Sequence, residues 1–334
     1  MKKILIIGGT QFVGRAITEK LVRDGRFELH LFNRGKTNPD IFPQVKKFKG
    51  DRYTDDIYQI EEEHWDVIID VTAYHPDALL RTLSAVKDRV KQYILISTMS
   101  VYDLEDYEGV VKESHPLLAC KQEDRKANDV TTYGARKAAC ERALRTMADL
   151  NFLILRPMLV VGPYDPSDRL YYWLYRAKKY DEILLPEQGQ HHMGGWTDVY
   201  DFAELVVRSI GRTDLENAYH VPTLARVTID QVLKEACAQL GRTPRRIAAS
   251  TEFLQAEGVR PWADLPLWVG GDYFDFDNEL LVRDFAIRFS SLEKTIQGCI
   301  EYYEKLGWPE PHYGISRAKE EELIKALTGD YTSY

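Results

Sequence analysis

Short apolar runs alternate with longer, helically spaced stretches over the first half of the chain. Six runs have the length and composition of strands: KILII, ELHLFN, VKKFKG, DVIIDV, QYILIS and FLILRPMLVVG. The stretches FVGRAITEKLVRDG, DALLRTLSAVKDRV and YGARKAACERALRTMADL between them carry apolar residues near helical spacing. Because a repeated strand–helix–strand order makes the strands parallel and covers both faces with helices, this alternation predicts a doubly wound parallel α/β sheet.

The regular alternation of strand-like and helical stretches ends after Gly162 and Pro163. An aromatic-rich helical stretch, RLYYWLYRAKKY, precedes a polar, turn-rich stretch, and AYHVP then has strand character, which indicates a return to the sheet. From about residue 228 onward, helical patterns such as IDQVLKEACAQLG and LEKTIQGCIEYYEKLG indicate a second lobe. We therefore predict a sheet domain of residues 1–164 plus about 196–224, and a smaller C-terminal α+β lobe of about 165–195 and 225–334.

The net charge argues against a broad nucleic-acid-binding surface, and the cysteine pattern indicates a reducing compartment. The 334 residues carry a formal net charge of −8, whereas phosphate binding over a broad nucleic-acid surface needs clustered positive charge. The four cysteines form no Cys-x-x-Cys pair, a pattern typical of buried thiols in a reducing compartment. The apolar run in MKKILIIGG is too short for a signal peptide, and no stretch approaches the length of a membrane span. We expect a cytoplasmic protein with no membrane partner.

The segment IIGGTQFVGR, residues 6–15, joins the first predicted strand to the first predicted helix. A helix N-terminus offers free N–H groups and a positive dipole end, which can hold a pyrophosphate. Two adjacent glycines would allow a tight turn, a third would let the helix pack against the strand, and a negative φ would tolerate Gln11 in place of a middle glycine. Alone, the segment fits a dinucleotide site and an ordinary strand–turn–helix equally well. The candidate cofactor contacts are Gly8, Gly9, Thr10, Gln11, Phe12, Val13 and Gly14.

The second predicted strand ends in LFNRGK. Sites for NAD usually place an acidic residue here to hold the ribose diol. This chain has Asn33 and Arg34 instead, and an arginine can grip a 2′-phosphate through paired hydrogen bonds. These residues favour NADP over NAD as cofactor, although an arginine in a solvated loop would look the same in sequence.

Tyr133 and Lys137, in TTYGARKAACE, stand one turn apart on a predicted helix. An ammonium beside a phenol favours the phenolate and lowers its pKa, so that the tyrosine can exchange protons near neutral pH. The Tyr-x-x-x-Lys pattern is common by chance. Its position just after YILISTMSVYD gives it more weight, because ligands bind at the strand ends of such sheets and Thr98 would line the same crevice.

In their order along the chain, these motifs resemble the extended short-chain dehydrogenase/reductase family of Rossmann-fold epimerases and dehydratases. The resemblance covers most of the chain and extends to the FDFDN and FSSLEKTIQGCIEYYEKLGW segments near its end. The stretches GGTQFVGR, NRG, GDR and ISTMSVY are most similar to a bacterial branch that also resembles the chloroplast stem-loop-binding proteins, some of which act on RNA. The resemblance to the extended short-chain dehydrogenase/reductase family rests on the motifs Gly8-Gly9-x-x-Phe12-x-Gly14, Asp51, Ser97-Thr98-x-x-Val101-Tyr102, Tyr133-x-x-x-Lys137 and Arg156-Pro157 leading to Gly162-Pro163.

The resemblance implies roles at the matching positions. Thr98 would hydrogen-bond the reacting oxygen, Tyr133 would exchange its proton, and Lys137 would hold the nicotinamide ribose. Asp51 would accept from the adenine amino group, and the Ala73 backbone would line the cofactor. Relatives usually pair as homodimers, which we expect here by analogy. The further cofactor contacts implied are Asn33, Arg34, Asp51, Arg52, Ala73, Tyr133, Lys137 and Pro157, and the substrate contacts are Thr98, Ser100, Arg169 and His192.

Two departures from the family pattern narrow the activity. Dehydratases follow the threonine with an Asp-Glu pair that performs elimination, whereas this chain has Met99 and Ser100, which argues against a dehydratase. Epimerases usually carry an arginine before the late V-D-D-V-like segment, where it clamps a nucleotide diphosphate. Here the chain has histidines before WTDVYD, which weakens the case for a nucleotide-linked sugar, although His192 or Arg169 could partly substitute. With no Glu or Cys at a ligand spacing from these histidines, we expect no metal site.

The sequence thus predicts an NAD(P)-dependent enzyme that oxidises, reduces or epimerises a secondary alcohol or ketone on a sugar or sugar-like substrate, which could be nucleotide-linked. Epimerisation and reduction need the same three residues, Thr98, Tyr133 and Lys137, so the sequence leaves them open. The alternative is a non-catalytic RNA-binding or cofactor-sensing protein with the same fold, against which the acidic charge balance argues.

Overall fold

The computed structural model describes residues 1–105, 107–147, 149–187, 195–269 and 274–329. Its backbone contacts divide the chain into two compact units. Unit 1 comprises Met1–Val160, Val199–Thr223 and Phe276–Arg288, and unit 2 comprises Val161–Asp198, Leu224–Asp275 and Phe289–Tyr334.

Strands and α-helices are numbered in chain order. The described strands are β1 (Lys2–Ile7), β2 (Phe27–Asn33), β3 (Lys46–Lys49), β4 (Trp65–Asp70), β5 (Val90–Ile96), β6 (Asn151–Pro157), β7 (Leu159–Val161), β8 (Glu182–Pro186), β9 (Gly195–Asp198), β10 (Ala218–Val221), β11 (Leu224–Ala225) and β12 (Arg245–Ala249). The described helices are α1 (Phe12–Asp24), α2 (Pro76–Ala85), α3 (Tyr133–Arg145), α4 (Arg169–Lys179), α5 (Val199–Ser209), α6 (Ile229–Leu240), α7 (Thr251–Ala256), α8 (Glu279–Phe285), α9 (Leu292–Lys305) and α10 (Arg317–Thr328). Short 3₁₀ helices cover Asp55–Ile60, Met99–Val101 and Glu123–Lys126.

Unit 1 is built on a seven-stranded sheet in the order β3-β2-β1-β4-β5-β6-β10, and every neighbouring pair is parallel. Helix α1 packs against α5, and α2 packs against α3. The central strands are buried because they are apolar on both faces, as in KILII and DVIIDV. The predicted doubly wound parallel sheet is confirmed, and AYHVP returns to it as the edge strand β10.

One segment of the predicted C-terminal lobe belongs instead to unit 1. Residues Phe276–Arg288 include α8 and pack on the β10 side of the sheet. The Phe276 ring lies 5.5 Å from the ring of His220, and the Phe285 ring lies 5.4 Å from that of Tyr219. Burial of these aromatic rings explains why the chain crosses back to unit 1 after residue 275.

Unit 2 is the smaller α+β lobe. Strands β8 and β12 pair in parallel, and β9 and β11 pair antiparallel. Helix α6 packs against both α4 and α9, and its N-terminus carries a capping box in which Thr228 and Gln231 satisfy each other's backbone N–H groups. No helix within the described ranges is long and apolar enough to cross a membrane.

Candidate active site

The glycine turn between β1 and α1 needs its glycines for steric reasons. Gly8 and Gly9 have φ values of +110° and +92°, which L side chains rarely adopt. A Cβ on Gly14 would lie 2.7 Å from the Gly9 backbone nitrogen, so helix and turn approach as closely as they do only because Gly14 has no side chain. Gln11 is the N-cap of α1 with φ −138°, the negative value that allows a side chain at this position.

Side chains around this turn hold its backbone and leave the helix end open. The Thr18 hydroxyl lies 3.0 Å from the Gly9 carbonyl oxygen and 2.8 Å from that of Gly14. Asn38 donates from Nδ2 to the Thr10 carbonyl at 2.9 Å. The Gln11 side chain does not cap α1. The first-turn N–H groups therefore point from a rigid turn toward any oxyanion placed there, which is the arrangement a pyrophosphate needs.

The end of β2 carries no carboxylate at the position where NAD sites usually have one. Asn33 is bonded within the turn, since its Oδ1 accepts from the Gly35 N–H at 2.8 Å and its Nδ2 lies 3.4 Å from the Gly8 carbonyl. Arg34 is exposed, and its guanidinium makes no hydrogen bond or ion pair with any residue that the structure describes. This cation is free to meet a ligand.

Arg52 faces the protein interior. It is 5% exposed, and its guanidinium pairs with both carboxylate oxygens of Asp70 at 2.6 and 2.8 Å and with Thr82 Oγ1 at 3.0 Å. The two Nη groups of this side chain are thus bound inside unit 1, and a cofactor contact by Arg52 stays a prediction. The neighbouring Asp51 is partly exposed and caps its own turn through the Tyr53 N–H.

Lys137 on α3 is buried, with 1% of its surface exposed. Its ammonium donates to the Ala73 carbonyl at 2.9 Å and to the Ile96 carbonyl at 2.6 Å, at the ends of β4 and β5. Burial lowers the pKa of Lys137, and the nearby Cys140 opposes this effect. Two of the three N–H groups of the ammonium donate to backbone carbonyls, so the direction of the third N–H is fixed.

Tyr133 lies one turn before Lys137 on α3, and the Thr98 side chain favours the ionised form of its phenol. Thr98 follows β5, and its Oγ1 lies 3.3 Å from the Ser100 hydroxyl. Gly134 makes the close approach of α3 to this turn possible, because a Cβ there would overlap the Ser100 carbonyl. The structure therefore brings Thr98, Ser100 and Tyr133 together at the carboxyl end of β5.

The expected lowering of the pKa of Tyr133 is not observed. Burial, with a smaller effect of Tyr74, raises the pKa of the Tyr133 phenol to about 12, and the Thr98 side chain only partly opposes this. The Lys137 ammonium is engaged with two carbonyls and lies 5.8 Å from the ring of Tyr74. Tyr133 is therefore held as a neutral phenol at neutral pH.

An ion pair not foreseen from the sequence anchors α3. Glu141, one turn beyond Lys137, accepts from Arg156 Nε at 2.9 Å, from Arg156 Nη2 at 2.5 Å and from the Ser97 hydroxyl at 2.6 Å. Both charged side chains are 1% exposed or less. An arginine inside the apolar run FLILRP was the available signal, since a buried guanidinium requires a carboxylate.

The same arginine begins a buried chain of hydrogen bonds. Arg156 Nη1 donates to the Tyr102 hydroxyl, and that hydroxyl bonds to Nε2 of His220. His220 Nδ1 lies 2.8 Å from the Asp277 carbonyl, to which it donates, so Nε2 is the acceptor. Burial lowers the pKa of His220 to about 4, and the imidazole is neutral.

The remaining predicted site residues are dispersed. Ala73 and Pro157 are buried at or just beyond the ends of β4 and β6. Arg169 begins α4 in unit 2, and His192 lies outside the described residues. Among the described residues, no group of three or more His, Cys, Asp or Glu side chains could hold a metal ion.

The comparison with family models identifies the class of this protein. The NAD dependent epimerase/dehydratase family matches residues 4–221, more than half of the chain. The chain belongs to this family, in agreement with the parallel sheet and the glycine turn.

Among curated proteins, the chain is similar to the chloroplast stem-loop binding protein of 41 kDa b of Arabidopsis thaliana. The two are 27% identical over 261 residues, which are 73% of this chain and 64% of the relative. The chain thus spans just under two thirds of the length of this relative.

Three solved structures illustrate the fold. UDP-glucuronic acid 4-epimerase from Bacillus cereus in complex with NAD is 14% identical, with a TM-score of 0.70 over 92% of this chain and 100% of that one. WbmH from Bordetella bronchiseptica in complex with NAD⁺ is 19% identical, with a TM-score of 0.69 over 91% and 99%. dTDP-glucose 4,6-dehydratase from Bacillus anthracis in complex with NAD is 17% identical, with a TM-score of 0.69 over 91% and 97%. At these identities, the likeness establishes the shared fold.

Proposed function

We propose that this protein is an NAD(P)-dependent epimerase or reductase that acts on a secondary alcohol or ketone of a sugar-like substrate. The observation that carries the proposal is the close approach of α3, which bears Tyr133, to the turn of Thr98 and Ser100 at the end of β5, with the Lys137 ammonium fixed one turn along the same helix. Two hydroxyls that meet at a strand end beside a fixed cation can bind one substrate oxygen and exchange its proton.

The glycine turn fits a dinucleotide. At Gly8, Gly9 and Gly14 a Cβ would lie 3.0 Å or less from a neighbouring atom, so the tight turn requires glycine, and the open end of α1 suits a pyrophosphate. When bound, the nicotinamide ring supplies or accepts the hydride. The third proton of Lys137 would hold the ribose of the cofactor, and Asp51 would accept from its adenine.

Tyr133 and Thr98 would carry the proton chemistry. In reduction, the neutral Tyr133 would give its proton to the carbonyl oxygen of the substrate, and Thr98 would donate a hydrogen bond to that oxygen. In oxidation, Tyr133 must first lose its proton, because only a phenolate can accept the alcohol proton. Return of hydride to the opposite face of the same carbon would give the epimer.

The residues after Thr98 do not provide elimination chemistry. Met99 is 4% exposed and has no proton to exchange, and Ser100 is a poor acid or base at neutral pH. We therefore propose an epimerase or reductase and not a dehydratase.

The cofactor is proposed to be NADP, because Arg34 could hold its 2′-phosphate and because position 33 is an asparagine where NAD sites usually have an acidic residue. Arg34→Gln should weaken NADP binding about 10- to 100-fold, the value of a charge-assisted pair of hydrogen bonds, and leave NAD binding within about twofold. Arg23→Gln, at an exposed position on α1, is the matched control. Tighter binding of NAD than of NADP by the unaltered protein would refute this choice of cofactor.

The activity is tested by incubating the purified protein with reduced cofactor and a panel of keto-sugars. Tyr133→Phe should abolish turnover and keep cofactor affinity within about twofold, since it removes only the proton donor. Tyr58→Phe, which removes a hydroxyl elsewhere in unit 1, should retain turnover. Equal turnover in Tyr133→Phe and the unaltered protein would exclude the mechanism.

A second candidate is RNA binding on the same fold, which the name of the Arabidopsis relative favours. The net charge of −8 argues against it. Retardation of a stem-loop RNA at physiological ionic strength, weakening steeply with added salt, would support this candidate. Tyr133→Phe should leave such binding unchanged.

A further inference from the structure

Arg136, on α3 in unit 1, is a buried arginine without a carboxylate partner. It is 4% exposed, and no ion pair joins it to any residue in the part of the chain that the structure describes. The other buried arginines among the described residues all meet carboxylates: Arg52 pairs with Asp70, Arg156 with Glu141 and Arg176 with Glu320. A buried guanidinium whose charge is not compensated is costly to the folded state and needs a separate explanation.

Neutral oxygens hold this guanidinium in place. Its Nη2 donates to the Asp129 carbonyl at 2.8 Å, its Nη1 to the Tyr74 carbonyl at 3.3 Å, and its Nε to the Thr132 hydroxyl at 3.2 Å. Nη1 also lies 3.2 Å from Nε2 of His75. Carbonyl and hydroxyl groups satisfy the N–H donors, but they carry no negative charge that would cancel the charge of Arg136.

The carboxylate nearest to Arg136 along the chain does not compensate it either. Asp129 is exposed, and its carboxylate turns to Thr132, whose N–H donates to Oδ1 at 2.9 Å and whose hydroxyl lies 3.0 Å from Oδ2. Solvent screens an exposed carboxylate of this kind, whereas a buried cation is screened much less. The positive charge of Arg136 therefore acts on its buried neighbours.

The buried neighbour that can ionise is Tyr133, which stands three residues earlier on the same helix, so that the two side chains lie on one face of α3. Burial raises the pKa of Tyr133 and Tyr74 and Cys140 add to this effect, whereas Thr98 and the charge of Arg136 lower the pKa. These are the groups that face the phenol from α3, from the turn after β4 and from the end of β5.

Lys137, the cation expected to act on Tyr133, is bound elsewhere, since its ammonium donates to the Ala73 and Ile96 carbonyls. We infer that Arg136 is a positioning residue for the proton exchange of Tyr133, because its uncompensated charge stabilises the phenolate that alcohol oxidation requires. The inference rests on the proposed function in one respect, that Tyr133 is the group that exchanges the proton. A unit charge about 7 Å from a phenolate, at an effective dielectric constant of about 20, changes its proton affinity about 10- to 100-fold.

The first test measures the ionisation of Tyr133 without any substrate. The full chain is labelled with difluorotyrosine, whose phenol ionises closer to neutral pH than that of tyrosine, and fluorine NMR follows each resonance as the pH rises. The resonance that is missing in Tyr133→Phe belongs to Tyr133. Arg136→Gln should raise the pKa of this phenol by about 1 to 2. Arg136→Lys, which keeps the charge and loses the paired hydrogen bonds, should change it by less than about 0.5.

Arg142→Gln is the matched control. Arg142 lies on the exposed side of α3, more than two turns beyond Tyr133, and donates to the Leu118 carbonyl at 2.8 Å. Removal of its charge should change the pKa of Tyr133 by less than about 0.3, because solvent screens it. The inference is overturned if Arg136→Gln has no larger effect than Arg142→Gln. It is also overturned if Arg136→Lys raises the pKa as much as Arg136→Gln, because the hydrogen bonds and not the charge would then be responsible.

A further variant keeps Arg136 and supplies the missing carboxylate. Thr132→Asp would place a carboxylate beside Nε of Arg136, since the Thr132 hydroxyl already lies 3.2 Å from it. Thr132 is the N-cap of α3, where aspartate is favoured, so this variant should fold even if Arg136→Gln does not. Thr132→Asp should raise the pKa of Tyr133, and its neutral match, Thr132→Asn, should not. An unchanged pKa in Thr132→Asp overturns the inference.

The second test follows turnover and separates this inference from the proposed function. Arg136→Gln should lower alcohol oxidation about 10- to 100-fold between about pH 7 and 9 and change carbonyl reduction less than about threefold, because reduction uses the neutral phenol. If the pKa of Tyr133 responds to the charge but no keto-sugar is turned over, the chemistry fails and the role of Arg136 stands. If turnover depends on Tyr133 but Arg136→Gln leaves both its pKa and alcohol oxidation unchanged, the role of Arg136 fails and the chemistry stands.

Discussion

The buried imidazole of His220 makes the stability of unit 1 depend on pH. Burial lowers its pKa from 6.5 to about 4. Since the unfolded chain binds the proton more tightly, the stabilising contribution is fully present above about pH 6.5 and is lost as the pH falls through about 4. The difference between the two pKa values corresponds to about 3 kcal/mol in total, of which about 2 kcal/mol is lost between about pH 7.5 and pH 5.

Replacement of His220 by Gln removes the titrating group. The variant should be less stable at every pH, because Tyr102 and the Asp277 carbonyl lose their partner, but its stability should depend less on pH. Urea unfolding followed by circular dichroism at about pH 5, 6, 7 and 8 gives the free energy of unfolding for each protein. Between pH 7.5 and 5, the unaltered protein should lose about 2 kcal/mol more than His220→Gln.

A matched control uses the exposed His64, and His64→Gln should keep the pH dependence of the unaltered protein. If His220→Gln and the unaltered protein lose stability in parallel on acidification, or if His64→Gln flattens the curve as much as His220→Gln does, the imidazole is not held neutral by burial and the reasoning fails.

Three further predictions follow from the site. Gly14→Ala should lower the free energy of unfolding by about 1–3 kcal/mol, because its Cβ would overpack against Gly9, and it should weaken cofactor binding. Gly298→Ala in α9, where the Cβ would meet open space, should raise the free energy of unfolding by about 0.5–1 kcal/mol. Equal melting temperatures of the two variants would contradict this. Glu141→Ala should cost about 3–5 kcal/mol in urea unfolding, since it leaves Arg156 buried and unpaired, and a loss below about 1 kcal/mol would show that the pair does not anchor α3. Alcohol oxidation should rise tenfold per pH unit from about pH 7 to 10 while carbonyl reduction stays flat, because Tyr133 has a pKa of about 12; a plateau of oxidation below about pH 9 would argue against this.

Much of the fold follows from patterns local in sequence. Each of the seven strands of the parallel sheet overlaps a predicted strand segment, although FLILRPMLVVG divides into β6 and β7, and β7 belongs to a smaller sheet. The glycine turn has the positive φ values that favour glycine at Gly8 and Gly9 and the negative φ value that allows Gln11. These features depend on periodicity and on backbone sterics, which the chain encodes within a few residues.

Side-chain partners distant in sequence could not be predicted in the same way. The residues next to Arg52 do not indicate that it is buried, since the next residue is an exposed tyrosine. Only the folded sheet shows that its guanidinium pairs with the Asp70 carboxylate. The sequence AYHVP does not show whether His220 is buried or exposed, because its partners Tyr102 and Asp277 lie 118 and 57 positions away. The raised pKa of Tyr133 likewise depends on burial, which the Tyr-x-x-x-Lys spacing does not reveal.

The crossing of Phe276–Arg288 back to unit 1 has a consequence for biosynthesis. On the ribosome, all seven strands of the large sheet emerge before this segment does, so the side chains of Tyr219 and His220 on β10 must wait for their partners until residues 276–288 have been made. A nascent chain halted at residue 275 would carry His220 without its carbonyl acceptor and Tyr219 without its aromatic cover.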